Sequence, residues 1–515
     1  MRTADGRVIG DDAAPVAWAK IVDHERCIGC HACSTACKSE NQVPLSVNRT
    51  YVKYVDVGVY PHTRRAFQVT RCNQCADPPC TYACPTAAMY QRQDGIVDFD
   101  KRLCIGCKAC IAACPYDAIF INPDDHAAEK CNFCAQRLDV GLEPACVVVC
   151  PVEAILVGDL NDPRSRVAEI VARENVSVRR PEKETRPKLF YKGAHAATLD
   201  PLAARRPDGG LFLWSEQGSF SHQVTSGHPR GANSSAAALL AYDVPHRMPW
   251  DWRLSLYTWT KSIAAGAYLV TLMLVFAGVV PAASPLWRLA VPTVAGVFLA
   301  LTGLILIADL ERPERFWWLF ARPQWRSWLV RGAFIITGYA AVLAVHFAAT
   351  LLAAPQAVQR ALVAVGAPFA VLTAVYTAYL FAQAKGRDLW QNPLLPPHFL
   401  VQAILAGSAA IMPFAAVLEP AALTPLAWTL ATSSILHVSF GLGELTLTHP
   451  TAHARLAIEE MTAGAYRGFF WVGVGLVALA AAAPWFGVAA AVPALAGLLA
   501  YEHAYVQAGQ SVPLA

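Results

Sequence analysis

All sixteen cysteines of this 515-residue chain fall between Cys27 and Cys150, in four groups of four. The groups are Cys27, Cys30, Cys33 and Cys37; Cys72, Cys75, Cys80 and Cys84; Cys104, Cys107, Cys110 and Cys114; and Cys131, Cys134, Cys146 and Cys150. The first and third follow CxxCxxCxxxC, the second widens one gap to four residues and the fourth widens it to eleven. Pro85, Pro115 and Pro151 follow the last cysteine of three groups. This is an iron–sulfur binding run. A cubane needs a thiolate at each of its four iron corners, and a short CxxCxxC loop wraps three of them with its amides facing the sulfides. The cysteine after the three-residue gap reaches a second cluster, so such runs work in pairs. Four groups therefore predict four [4Fe-4S] clusters in two dicluster units, with all sixteen cysteines as metal ligands.

Other chemistries fit less well. Structural zinc takes two CxxC pairs per site across a long spacer, unlike four contiguous quartets. Cys27-x-x-Cys30-His31 has the form of a haem attachment motif, but the other quartets lack the histidine, so His31 reads as a bystander. Disulfide scaffolds are short secreted chains, and MRTADGRVIGDDAAPVAWAK has no basic start, apolar core or twin-arginine pair, so no leader is expected. The cysteine region has no Ser/His/Asp arrangement, phosphate loop or dinucleotide glycine motif. Its expected job is conduction, and no catalytic residue is assigned.

The elements that must hold these residues divide the chain by solvent. Hydrophobic residues make up 55% and charged residues 16%, with the apolar ones gathered after residue 254. A net charge of +4 gives no argument for nucleic acid. Three regions are expected: a cluster domain at 1–165, a linker or partner-contacting segment at 166–253, and a membrane domain at 254–515. In the first, AAMYQRQDGIVDFDKRL predicts a hairpin turning at Asp94-Gly95. In the second, VRRPEKETRPKLFYKGAH and SEQGSFSHQVTSGHPRGANSS show no long periodic element. The apolar interruptions PKLFY and GGLFLW suggest contact with a surface. In the third, eight segments are long enough to span a bilayer, at about 257–280, 286–308, 328–353, 361–383, 398–418, 422–441, 468–486 and 488–506. An even number puts both ends on one face.

Loops on the face of the cluster domain carry Arg312, Arg315, Arg322, Arg326, Arg331, Lys385, Arg387, Arg455 and Arg467. The opposite loops carry Arg288 and Arg360, which predicts a multi-pass protein of the cytoplasmic membrane with the clusters inside. Lys261, Asp309, His398, His437, Glu444, Glu502 and His503 lie near the ends of spans on that same face. Ionisable groups at membrane depth mark function by default, and their convergence suggests that electrons and protons meet a lipid-soluble substrate there. A haem between spans would need facing histidines, for which only His346 and His437 are deep.

At this point a family likeness is visible. Residues 20–160 resemble the four-cluster electron-transfer subunit of membrane-bound molybdopterin oxidoreductases such as dimethyl sulfoxide and polysulfide reductases. Residues 255–508 resemble the NrfD-like anchor of the same complexes, on LYTWTKSIAAGAYLV, DLERPERFWWLF, GRDLWQNPLLPPHFL and YEHAYVQAGQSVPL. The resemblance implies a fused chain whose fold is an α+β ferredoxin-like domain of two dicluster units, followed by an all-α polytopic membrane domain of about eight transmembrane helices. It implies cluster ligands in crossed sets: Cys27, Cys30 and Cys33 with Cys150; Cys37 with Cys131, Cys134 and Cys146; Cys72, Cys75 and Cys80 with Cys114; and Cys84 with Cys104, Cys107 and Cys110.

The same likeness implies a separate molybdopterin catalytic subunit as partner and quinone as the substrate met in the membrane. The expected quinone-site residues are Lys261, Asp309, Arg312, Arg315, His398 and Glu444. Lys261 departs from the small residue many such anchors carry. With clusters in the cytoplasm, oxidation of a sulfur compound, such as sulfite to sulfate, is the expected reaction. Two other readings stand beside it: a redox-linked proton-translocating module, and a zinc-stabilised assembly anchor without a redox role. Lys38, where the other quartets have proline, is expected to favour a reduced cluster or a docked partner.

Overall fold

The computed structural model describes residues 16–207 and 224–515. The start of the chain through Pro15, the GGLFLW stretch and the first residues of the Gly/Ser-rich run lie outside them. The chain divides into two compact units, one of Met1–Pro249 with Ala384–Gly386 and Val512–Ala515, the other of Trp250–Gln383 with Arg387–Ser511.

The first unit is built on short strands that leave most of the chain to loops. Strand β1 (Trp18–Asp23) is followed by α1 (Ala32–Asn41), then by β2 (Thr50–Val59) and β3 (His62–Arg71). These two pair antiparallel from Thr50↔Arg71 to Val59↔His62. At the turn Gly58 has φ +92°, and a Cβ there would lie 2.2 Å from the His62 carbonyl oxygen, so only glycine fits. Next come α2 (Pro79–Ala83), the hairpin β4 (Met89–Gln91) and β5 (Val97–Phe99), α3 (Ala109–Ala113), and the hairpin β6 (Ile119–Ile121) and β7 (Ala128–Lys130). The first hairpin is the one the Asp94-Gly95 signal predicts. Helices α4 (Ala135–Leu138) and α5 (Ala145–Val148) carry the chain to β8 (Ile155–Asp159).

Residues of the 166–253 segment are woven into the same unit. They supply α6 (Arg166–Arg173), β9 (Val176–Ser177), β10 (Leu189–Lys192), α7 (Ala196–Leu199) and β11 (Leu239–Tyr242). Strand β10 runs parallel to β1 in a four-stranded sheet of order β8-β1-β10-β9, and β11 joins the edge of β2. The apolar residues of PKLFY are thus core: Leu189 and Tyr191 pack with Val22, Val52, Val69 and Ile155. A single strand borrowed by a distant partner has no periodicity of its own to read.

A buried ion network pins β11 to this unit. The His246 ring stands 2.6 Å from Asp117 and 3.2 Å from Asp243, and Lys53 lies 3.8 Å from Asp243. Burial opposes the imidazolium, but the two carboxylates overcome it and hold His246 at about 9. Burial likewise opposes the Asp243 charge, yet His246 and Lys53 bring it down to about 2.

The second unit is helical. Helix α8 (Trp252–Phe276) is followed by α9 (Val291–Ala308), entered through a π-helical turn at Leu286–Ala290, and by the short α10 (Trp318–Ala321). Then come α11 (Trp328–Leu351), α12 (Gln356–Ala382), α13 (Leu395–Leu418), α14 (Leu423–Thr446), α15 (Ala452–Thr462), α16 (Arg467–Ala480), α17 (Ala483–Phe486) and α18 (Ala491–Ser511). Among the described residues seven helices are long and apolar enough to span, or eight if α15 and α16, bent by 71°, count as one. The expected seventh span at 468–486 is divided: its first part is α16, one arm of the bent pair, and its end, α17, belongs to the last span, Ala483–Ser511.

Helix α8 is central: 72% of its apolar window is buried, against 28% for α11. A Cβ on Gly266 would lie 1.7 Å from the Ala403 carbonyl oxygen, and one on Gly407 2.0 Å from the Gly266 carbonyl carbon, so α8 and α13 touch backbone to backbone. Outward stand Phe276, Leu352, Val417 and Trp485, the apolar surface that a bilayer covers.

Two outcomes are expected from this packing. Gly266→Ala should lower the thermal stability of the detergent-solubilised chain by about 1–3 kcal/mol, the cost of overpacking, while Gly303→Ala, with nothing within 4 Å of the added methyl, should leave it unchanged. Because His246 titrates at about 9 in the fold against an ordinary 6.5, its stabilisation is complete below pH 6.5 and is lost as pH rises through 9. Lys53, lowered by burial to about 8, works in the opposite sense only above that pH. Unfolding followed between pH 6.5 and 8 should therefore show a fall, and His246→Gln should flatten it.

Candidate functional site

The sequence CIGC-x-AC occurs twice, at 27–33 and 104–110, and folds the same way both times. Gly29 and Gly106 have φ +69° and +70°, and His31 and Lys108, which open α1 and α3, have φ 60° and 62°. Such left-handed turns point successive amides at one spot. Backbone N–H groups accordingly approach sulfur: Gly106 and Ala128 each lie 3.4 Å from Cys104 Sγ, Met89 lies 3.4 Å from Cys84 Sγ and Ala154 lies 3.2 Å from Cys150 Sγ. The His31 ring packs 5.3 Å from Tyr54 and 5.2 Å from Tyr242 by centroids.

The quartets come together crossed. One hollow is lined by Cys27, Cys30, Cys33 and Cys150, and another by Cys84, Cys104, Cys107 and Cys110. Elsewhere Cys37 interacts with Cys131, Cys134 and Cys146, and Asn41 Nδ2 sits 3.7 Å from both Cys37 Sγ and Cys134 Sγ. Cys80 interacts with Cys72, Cys75 and Cys114.

Strand register is what makes them cross. Val22 faces Ile155 in the β1–β8 pair, so Cys27, five residues past one, meets Cys150, five residues before the other. Met89 faces Phe99 in the β4–β5 hairpin, and Cys84 and Cys104 stand off from that pair by the same five residues.

These sets suit a multi-atom group. Among the described residues no three His, Cys, Asp or Glu side chains converge on a single ion position. A lone zinc would hold its sulfurs about 2.3 Å from one point, whereas the sulfurs of two of these sets ring hollows. Cys30 is exposed and Cys27 and Cys150 are half-buried, while the other thirteen cysteines are buried. Burial pushes the Cys37 thiol up to about 12 and Cys107 above the range in which thiols ionise. Cys146 departs from this. Burial pushes it up too, but the charges of Lys20 and Arg71 bring it down to about 7. Lys38 donates from Nζ to the carbonyls of Pro44 and Val47, at 2.9 and 2.5 Å, so its charge ties down the loop after α1.

In the second unit a pocket opens between α8, α13 and α18. Thr258, Leu395, His398, Phe399, Gln402, Tyr501, Glu502, Tyr505 and Val506 line it. Thr258 Oγ1 lies 3.0 Å from Glu502 Oε2. The His398 ring stands 2.9 Å from His437, ring nitrogen to ring nitrogen. Around this pocket Gln402 Oε1, His437 Nε2, Tyr501 Oη and Glu502 Oε1 are buried without a partner. Buried polar atoms are normally paired, so several orphans around one space mark a place for a ligand.

The expected quinone residues divide between two places. His398 lines the pocket. Lys261 stands behind it, its Nζ 4.6 Å from the Phe399 ring centroid and 2.6 Å from the Ala374 carbonyl oxygen it donates to. Glu444 accepts from Asn392 at 2.7 Å and from Tyr505 at 3.5 Å. Asp309, Arg312 and Arg315 line no part of it. Asp309 caps the end of α9, and Arg315 lies 3.6 Å from Glu314 and over Trp318. His346 packs against Tyr268 and Trp287 instead of facing His437.

Sequence reasoning did not single out Thr258, Gln402, Tyr501 and Tyr505. Helical spacing carried a signal: His398 and Gln402, like Tyr501 and Tyr505, stand four apart and share a face.

Residues 243–500 match the family described as polysulphide reductase, NrfD, and residues 63–160 match the 4Fe-4S dicluster domain. The chain belongs to the NrfD family and carries an iron–sulfur subunit fused to it. A tetrathionate reductase subunit of Salmonella typhimurium is 42% identical over 207 residues, which are 39% of this chain and 80% of that protein. A polysulfide reductase chain of Wolinella succinogenes is 44% identical over 176 residues, 34% of this chain and 92% of that one. A putative dimethyl sulfoxide reductase iron-sulfur subunit of Halobacterium salinarum is 39% identical over 221 residues, 37% of this chain and 84% of that one. The protein is thus a multi-pass membrane chain that joins [4Fe-4S] electron transfer to an NrfD-type anchor.

Proposed function

We propose that this chain carries electrons through four [4Fe-4S] clusters between a separate molybdopterin-dependent catalytic subunit and the quinone pool of the membrane. The proposed ligands are the four crossed sets, using all sixteen cysteines. The proposed quinone site is the pocket at His398, with Gln402, Glu502 and Tyr505 on its wall and Lys261 and Glu444 behind it. The cluster domain is assigned to the cytoplasmic side on the arginine and lysine excess of the membrane-domain loops expected on its face. A sulfur compound is the proposed substrate of the partner, in line with the polysulfide and tetrathionate reductases whose subunits this chain resembles.

The observation that carries the reading is the group of orphaned polar atoms around a pocket among membrane-length helices, on a chain that also holds crossed cysteine sets. A bound cluster supplies one-electron transfer at a fixed place. The chain's own residues do the rest. Left-handed loops aim amides at sulfur, and the hollows keep most thiolates from water. Reduction of a quinone consumes two electrons and two protons. Glu502 and His398 hold exchangeable protons at the pocket wall, and His437, hydrogen-bonded to His398, stands next in line. Gln402 offers a neutral polar group for a quinone oxygen.

Two measurements test this. The purified chain should hold roughly sixteen irons with matching acid-labile sulfide and no stoichiometric zinc, and Cys27→Ser and Cys150→Ser should disturb the same paramagnetic signal. Glu502→Gln and His398→Ala should each slow oxidation of a quinol analogue about a hundredfold with all cluster signals intact. Unchanged quinol turnover in both variants would remove the quinone from this pocket.

A further inference from the structure

Two cations lie buried against one sulfur. Arg71 Nη1 donates to Cys146 Sγ at 3.0 Å, and Lys20 Nζ approaches the same atom at 3.6 Å. Arg71 is 2% exposed and Lys20 1%. Among the described residues neither has a carboxylate within ion-pair distance, and Arg71 Nε and Nη2 are buried without any partner. The Lys20 ammonium rests 4.1 Å from the centroid of the Phe133 ring, and its strand neighbours on β1 are core. Unpaired buried cations are costly, and such a pair persists where a negative charge belongs. One thiolate does not balance two cations. The arrangement is complete only when the site they face carries further negative charge.

The neighbouring set differs. Cys27, Cys30, Cys33 and Cys150 have no cationic side chain donating to their sulfurs among the described residues. Cys150 instead accepts from the Ala154 amide. Arg71 also leads directly into Cys72, so its backbone belongs to a third set; its charge reaches Cys33 and Cys27 as well, but among the described residues the sulfur it donates a hydrogen bond to is that of Cys146.

We propose that Arg71 and Lys20 raise the reduction potential of the cluster held by Cys37, Cys131, Cys134 and Cys146 above that of the cluster held by Cys27, Cys30, Cys33 and Cys150. This rests on the ligand sets proposed above. The physical cause is direct: reduction adds one negative charge to the cluster, and two fixed cations and a hydrogen bond to sulfur favour that charge. An electron moving between the two sets oxidises one cluster from [4Fe-4S]+ to [4Fe-4S]2+ and reduces the other by the reverse change. The Cys146 set becomes the place where an electron comes to rest in this half of the domain. Lys20 and Arg71 are positioning residues that act on the cluster without carrying the electron.

The test is a redox titration of the full chain in membranes, followed by paramagnetic resonance, for the unsubstituted protein and for Arg71→Gln, Arg71→Lys and Lys20→Gln. Cys37→Ser and Cys131→Ser mark which signal belongs to the Cys146 set. Arg71→Gln should lower the reduced-to-oxidised ratio of that signal at least tenfold at a fixed poise, equal to about 59 mV for one electron, and should move it more than any other. Arg71→Lys, keeping the charge, should recover most of that loss. Lys20→Gln should shift the same signal in the same direction by about threefold, and it keeps the test alive if Arg71→Gln loses iron. Unmoved signals at full intensity in Arg71→Gln and Lys20→Gln would overturn the proposal, as would a shift that Arg71→Lys fails to recover, or loss of iron in all three variants. An unsubstituted chain without four cluster signals, or Cys37→Ser and Cys131→Ser disturbing different signals, would instead overturn the ligand sets beneath it.

Discussion

A ring of four cysteine sulfurs can close only if the chain returns to it from a distant run, and strand register is what enforces the return. The β1–β8 pairing brings Cys150 to the end of the sheet where Cys27 begins its loop, with Asp23 N donating to the Ala154 carbonyl at 2.7 Å just inside it. The β4–β5 hairpin does the same for Cys84 and Cys104, with Asp100 N donating to the Ala88 carbonyl at 2.8 Å. A slip of one residue in either pairing would turn every side chain over and carry a cysteine out of its ring. This explains why strands of three residues suffice. Their work is to fix an offset, and the cysteines themselves complete the core: Cys72, Cys80, Cys104, Cys110 and Cys114 pack with Met89, Val97, Ile111 and Ile119.

Charge is handled by the same economy of position. Arg49 Nε meets Glu129 at 2.7 Å, while its Nη1 donates to Asn41 and Asn132 at 2.8 and 3.1 Å. Asn41 ends α1, which carries Cys37, and Asn132 follows Cys131. One guanidinium therefore ties the two runs that supply a single cysteine set. Lys101 adds a second contact to Glu129 at 2.7 Å, so the carboxylate is shared by two cations and is held below the usual range although burial opposes it. These pairs are balanced, unlike Lys20 and Arg71, and the contrast separates a structural ion pair from a charge held against something else.

Much of this was legible in the sequence because its signals are local. Cysteine spacing, the Asp94-Gly95 turn and runs of apolar residues each act within a short window of neighbouring positions. The parts that escaped depend on residues far apart. Nothing near PKLFY announces that β10 lies beside β1, at the other end of the domain's sequence. Nothing near Lys20 or Arg71 announces Cys146. The resemblance pointed to DLERPERFWWLF, and Asp309, Arg312 and Arg315 line no part of the pocket that His398 lines.

The membrane unit shows why its polar residues divide in two. Helix α8 carries many hydroxyls into a buried position, and most are satisfied by their own helix: Thr258 donates to the Ser255 carbonyl, Ser262 to that of Thr258 and Thr271 to that of Ala267. Such bonds let a polar side chain sit in an apolar bundle at little cost. Contact between Gly266 and Gly407 brings α8 and α13 close enough that no apolar side chain separates them. Where the hydroxyl pattern ends, carboxyl, amide and imidazole groups begin, and these have partners for only part of their capacity. Glu502 spends one oxygen on Thr258 and leaves the other bare, and His437 uses one nitrogen on His398 and leaves the other bare. Helix packing alone would have selected groups that the helices could satisfy, and the groups left open at the pocket accord with the quinone proposed for it.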